Sequence, residues 1–197
     1  MAAIHSRRTP RFGLLLAVLV SALSAVAAGC GSGAAGGSSA IAPLPVLPAS
    51  ALAGLTPADS QLSAVDLTHD APIPGFAERL SQWDYRGGTQ RIFRGSKGDF
   101  INVVSRTLEF GSADGATAYV QLVDDRVADF YGRGSKVAPL SQGGRRGYLI
   151  SAAPCGCHRE TPVFLAVLSA GSRVTWLYGT GPGARAADLR ALLAQAP

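Results

Sequence analysis

The chain has 197 residues, 47% of them hydrophobic, and a formal net charge of +5. Three of its basic residues, Arg7, Arg8 and Arg11, stand in the first thirty positions with no acid beside them, which leaves +2 for the rest. That balance excludes a nucleic-acid partner read through a basic stripe. Arg86, Arg91, Arg94 and the pair Arg145 and Arg146 are scattered, as a solvated face would be.

Residues 1–29 read as an export signal. A polar, arginine-bearing start is followed by an apolar run from Phe12 to Ala28 and then by the small residues Val26-Ala27-Ala28-Gly29 before Cys30. Basic, then apolar, then small is the order of a secretory signal rather than of a globular segment. The Gly29-Cys30 ending resembles the lipobox of bacterial lipoproteins, with Ala27 where that family prefers Leu. The resemblance implies that the Cys30 thiol carries a diacylglycerol and that the signal is cut just before it. Ordinary cleavage after Ala25-Val26-Ala27 is the rival reading, and an uncleaved helix is a second, for which the run is short. Ser6-Arg7-Arg8 leaves the general secretory and twin-arginine routes both open.

Residues 30–57 are expected to form the lipidated cysteine and a flexible tether. Gly31-Ser32-Gly33 and Gly36-Gly37-Ser38-Ser39 favour open conformers, and Pro43, Pro45, Pro48 and Pro57 stiffen the later half. Leu44, Val46, Leu47, Leu52 and Leu55 offer the alternative that this half docks on the domain. Residues 58–197 remain, about 140, the usual size of one domain with a core of its own.

Within the domain, the two prolines of Ala71-Pro72-Ile73-Pro74-Gly75-Phe76 exclude a helix interior. Leu80 and Trp83 follow as core anchors, and Gly87-Gly88 as a turn. Gln90 to Arg94 and Phe100 to Phe110 read as strands, the second rich in Val, Ile, Thr and Phe, with Gly95 to Gly98 turning between them. Ser112 offers an N-cap, and Ala116, Tyr119, Val120, Val123, Val127 and Phe130 recur at helical spacing until Gly132 and Gly134. Asp124, Asp125, Arg126 and Asp129 are the wet face of that helix rather than a metal site, since a calcium loop needs a glycine-turned ligand array. Gly147 to Ala152, Pro162 to Leu168 and Arg173 to Tyr178 are three further strands, the last with Val174, Trp176 and Tyr178 on one face. Ala184 to Gln195 closes the chain as a helix with Leu189, Leu192 and Leu193 inward. Hairpin-length turns force antiparallel pairing. The expected fold is α+β: a single antiparallel sheet of about five strands with two helices on one face, in the order β-β-α-β-β-β-α.

The succession of an aromatic-bearing strand, a Val-rich strand ending in Phe110-Gly111-Ser112, an Ala-rich helix, a hairpin and a closing helix resembles small actinobacterial lipoproteins of unknown function, some of which are similar to the PsbP-like α+β fold. The resemblance spans about residues 70 to 195. It implies a binding or envelope role and carries over no catalytic residue and no cofactor.

One loop stands out chemically, Pro154-Cys155-Gly156-Cys157-His158. It is one residue short of the C-x-x-C-H of haem attachment and lacks the second ligand pair of a structural zinc site. Cys155 and Cys157 are open to a strained mutual disulfide, to free thiols, or to redox or copper(I) work with His158. No G-x-S-x-G elbow is present, and the His69-Asp70 pair is as well explained by a surface turn as by catalysis. The reading is a non-enzymatic, lipid-anchored protein on the extracytoplasmic face of the cell membrane, with a domain that binds a small molecule or a protein. The alternative is a thiol-redox or copper-handling lipoprotein acting through Cys155, Cys157 and His158.

The anchor is directly testable. Two or more acyl chains give stable membrane attachment where one gives marginal binding. Mass spectrometry of the mature protein is expected to find Cys30 acylated, and a Cys30→Ala chain to be poorly processed or shed from the membrane. An unmodified Cys30 thiol in the mature chain would overturn the assignment.

Overall fold

The computed structural model describes residues 41–197, apart from Pro72, Lys97, Arg133, residues 155–159 and the side chain of Phe130. The described residues fall in one compact unit. Cys30, Cys155, Cys157 and His158 therefore lie outside the described residues.

Seven strands build one sheet among the described residues: β1 (Thr56–Leu62), β2 (Tyr85–Arg94), β3 (Asn102–Phe110), β4 (Lys136–Gln142), β5 (Arg145–Ala152), β6 (Val163–Ala170) and β7 (Arg173–Thr180). Their spatial order is β1-β2-β3-β7-β6-β5-β4, and every neighbouring pair is antiparallel. Two meanders, β1 to β3 and β4 to β7, are thus joined through β3 and β7. Five α-helices accompany them among the described residues: α1 (Ala64–Asp70), α2 (Phe76–Gln82), α3 (Ala113–Asp125), α4 (Val127–Tyr131) and α5 (Ala186–Leu193).

The expected five strands and two helices on one face are corrected in number and in layering. The sheet is covered on both sides. On the first face Leu108, Phe110, Val167 and Val174 pack against Leu67, Phe76 and Leu80 and against Ala116, Tyr119, Val120 and Leu122 of α3. On the second face Phe93, Val103, Ala166, Leu168 and Leu177 pack against Leu189, Leu192 and Leu193 of α5 and against Leu47. A strand buried on both faces reads as a continuous apolar run rather than an alternation, which accounts for Val163-Phe164-Leu165-Ala166-Val167-Leu168 in β6.

The missed strands, β1 and β4, are the two edges of the sheet. Each has one buried residue, Leu62 and Leu140, so neither shows a period of two. Pro57 and Pro139 sit where an edge tolerates a missing donor. Gly87-Gly88, expected as a turn, lies inside β2, with the ladder shifting register between Tyr85 and Gly87. A Cβ at Gly88 would come within 2.8 Å of both the Leu108 side chain and the Thr107 carbonyl, so this glycine permits close strand approach rather than reversal.

The helix expected over 112–131 is present in two pieces. Ser112 caps it by accepting from the Gly115 amide at 3.1 Å, and the chain breaks at Arg126 between α3 and α4. Tyr119 and Val120 are buried, while Val123 and Val127 are half-buried. Helix α1 escaped because seven residues give too little periodicity. Its signal is a capping box: the Ser63 hydroxyl takes the Asp66 amide and the Asp66 carboxylate takes the Ser63 amide.

The leucine-bearing half of the expected tether is laid on the second face, so docking, not free movement, describes residues 44–55. The Leu44 amide donates to Thr89 Oγ1 at 2.8 Å and the Leu47 amide to Ser105 Oγ at 3.0 Å. Thr107 donates to the Pro45 carbonyl at 2.6 Å, and Arg91 to that of Leu47 at 3.0 Å. Leu47 itself is fully buried. Arg145 is likewise structural: it donates to the carbonyls of Leu193, Ala196 and Pro197 at the end of α5, while Arg86, Arg94 and Arg146 are exposed.

A sheet loaded on both faces has a direct consequence. Leu122→Ala on the first face and Leu47→Ala on the second should each lower unfolding free energy in urea by about 2–5 kcal/mol. A neutral Leu47→Ala variant would contradict a structural role for residues 44–55.

Candidate functional site

Between the first face of the sheet and the helices lies a cavity of about 300 Å³. Its floor is sheet: Asn102, Val104 and Arg106 of β3, Trp176 and Tyr178 of β7, and Leu165 of β6. Its roof is helical, with Leu67, Asp70, Ile73 and Phe76 from the α1–α2 region and Tyr119, Leu122, Val123 and Tyr131 from α3 and α4. Side chains two apart on a strand share a face, and the β3–β7 register sets Arg106 opposite Trp176 and Val104 opposite Tyr178. The strands therefore deliver a cation, two aromatic rings and an amide to one surface.

Arg106 is the charged centre of this surface. Its side chain is 14% exposed. The guanidinium lies 4.8 Å from the Trp176 ring centroid, a cation–π arrangement, and Trp176 stacks on Tyr178 with centroids 5.9 Å apart. The Arg106 Nε–H donates to Gln90 Oε1 at 3.0 Å, and an Nη2–H donates to the Asp70 carboxylate at the end of α1. Asp70 is the more exposed partner, at 44%. At the other end of the cavity the Asn102 Oδ1 is buried and has no hydrogen-bond partner among the described residues.

Tyr119 closes the site from α3. Its ring meets Phe110 at 5.5 Å and Phe76 at 6.4 Å between centroids. Burial pushes its phenol up to about 12; Arg106 nearby opposes the rise and Asp70 adds to it. The walls are apolar and aromatic, with a few convergent polar groups, the composition of a small-molecule site.

Among the described residues singled out from the sequence for chemistry, only Asp70 lines this cavity. It was weighed there with His69 as a catalytic pair, yet its carboxylate goes to Arg106 while His69 is exposed on α1. Asp124, Asp125 and Asp129 stand on the outer side of α3 and α4 with polar neighbours of their own, Gln121 for the first two and Arg126 for the third. Among the described residues, no three His, Cys, Asp or Glu side chains gather as a metal-ligand set, and no helix is long and apolar enough to cross a membrane. Trp176 and Tyr178 were correctly put on one face. Arg106 was missed, although an arginine at an inward position of a Val-rich strand is a signal in itself.

No family model matches the chain, and no curated protein does. Among solved structures the chain is similar to the extracellular domain of PknH from Mycobacterium tuberculosis, with 14% identity and a TM-score of 0.41 over 73% of this chain and 82% of that one.

The state of Tyr119 makes a pH prediction. Its pKa in the fold lies above the ordinary 10, so folding favours the protonated phenol. The corresponding stability is intact below pH 10 and is lost as pH rises toward about 12. Urea midpoints should fall over that window, and a Tyr119→Phe variant should fall less, the difference reaching on the order of 2 kcal/mol. Burial raises Tyr85 as well, so part of the decline remains in the variant.

Proposed function

We propose that this chain is a lipid-anchored envelope protein, held through Cys30 on the extracytoplasmic face of the membrane, whose domain binds a small amphipathic molecule without transforming it. The observation that carries the reading is the cavity over β3 and β7. It is lined largely by apolar and aromatic side chains, and its polar groups include an ion pair and an amide. Such groups orient a ligand; none is a nucleophile set beside a base. The export signal and the Gly29-Cys30 ending support the location. The resemblance to small actinobacterial lipoproteins belongs to the same proposal.

The test uses the chain from residue 31 onward, which contains the compact unit. The fluorescent probe is 1-anilinonaphthalene-8-sulfonate, apolar with one negative charge. It should bind saturably at one site, with energy transfer from Trp176 in the cavity floor. Val123→Phe, which fills the cavity from α3, should weaken binding by on the order of tenfold while the domain stays folded. Equal binding by this variant and the parent, or no binding by the parent, would refute the cavity as a ligand site.

A further inference from the structure

The two polar ends of the cavity define a class of ligand. Resting on the reading of the cavity as a binding site, we propose that it takes an elongated monocarboxylic acid, its carboxylate on Arg106, an apolar middle over Val104, and a hydrogen-bond donor at its far end on Asn102.

The case for the carboxylate begins with how Arg106 is held. Gln90 and Trp176 belong to neighbouring strands and fix the guanidinium from the sheet side. One Nη2–H already donates to a carboxylate, that of Asp70. Asp70 comes from the last position of a seven-residue helix and is 44% exposed. It can swing to water, because its side of the ion pair is open to solvent. A ligand carboxylate inside the cavity would meet the same planar donor fork with less competition from water, where charge-assisted bonds are strongest. Asp70 thus occupies in cis the place of the ligand's acid group.

The far end follows from Asn102. Its buried oxygen lacks a donor among the described residues, and an unpaired buried acceptor is unfavourable. A ligand hydroxyl or amide N–H would satisfy it. Asn102 and Arg106 are four residues apart on one strand, so their Cα atoms are separated by about 13 Å. The rest of the lining is largely apolar and aromatic, with Val104, Leu165 and Tyr178 from the floor and Leu122, Val123 and Ile73 from the roof. A straight chain of ten carbons spans that interval.

The experiment is calorimetry on the chain from residue 31, titrated with ω-hydroxydecanoate, decanoate and decanol. The hydroxy acid should bind tightest, and decanoate should exceed decanol by on the order of tenfold. Asn102→Leu should erase the preference for the hydroxy acid over decanoate. Arg106→Gln should weaken both acids and spare decanol. Asp70→Asn should tighten both acids, a gain that damage to the fold cannot produce and that stays informative even if Arg106→Gln unfolds. Decanol binding as well as the acids, or an Asp70→Asn variant with unchanged affinity for them, would overturn the proposal and leave the cavity reading intact. If decanol, the acids and the sulfonate probe all fail to bind, both readings fall.

Discussion

The antiparallel pairing of β3 with β7 is the constraint on which the rest of the structure depends. It joins a meander of three strands to one of four and makes a single sheet of them. Strands separated by more than sixty residues in the chain become neighbours, so the loop-closure entropy must be met by burial. Both central strands meet it on two faces. Val103 and Leu177 enter the core under α5, while Leu108 and Val174 enter the core under α3. Without that pairing neither helix has a complete surface to cover.

The same pairing composes the site. Arg106 and Trp176 face each other only because β3 and β7 are adjacent in this register; a slip of one residue would turn each side chain to the opposite face. On the first face the sheet offers a cation and aromatic rings beneath a helical roof. On the second face the alternate positions of β2 and β3 carry Thr89, Ser105 and Thr107, all buried. Their hydroxyls hold the backbone of residues 44–47 in extended form. Buried polar side chains in this sheet are thus used in two ways. One set is satisfied by the chain itself, and the other keeps an acceptor at Asn102 without a partner among the described residues.

Local patterns were readable wherever one residue type dictates one geometry. Ser112 as a cap, Gly132 after the helix, and the alternation of Val174, Trp176 and Tyr178 all stand where the sequence placed them. Edge strands were not readable, because β1 and β4 each bury one side chain and obey no period. Short helices were not either, since α1 and α2 draw their stability from packing of Leu67, Phe76 and Leu80 rather than from length. Of the cavity, the aromatic pair and Tyr119 had been assigned to buried faces, but nothing in the sequence linked them to Asp70 or to Arg106.

By itself the sequence determined the cap at Ser112 and the inward faces of its longest helix and last strand. These are local properties, set by spacing and by the conformational limits of Gly, Pro and Ser. Only the tertiary structure decided that the sheet has two covered faces, that residues 44–55 belong to it, and that Arg106, Trp176, Asp70 and Asn102 share one cavity. Strand order is settled by which long-range pairings bury the most surface together. That is a property of the whole chain, and no window along it carries the answer. The continuous apolar run of β6 was the one local trace of it, because a strand that must be buried on both sides has no polar side to show.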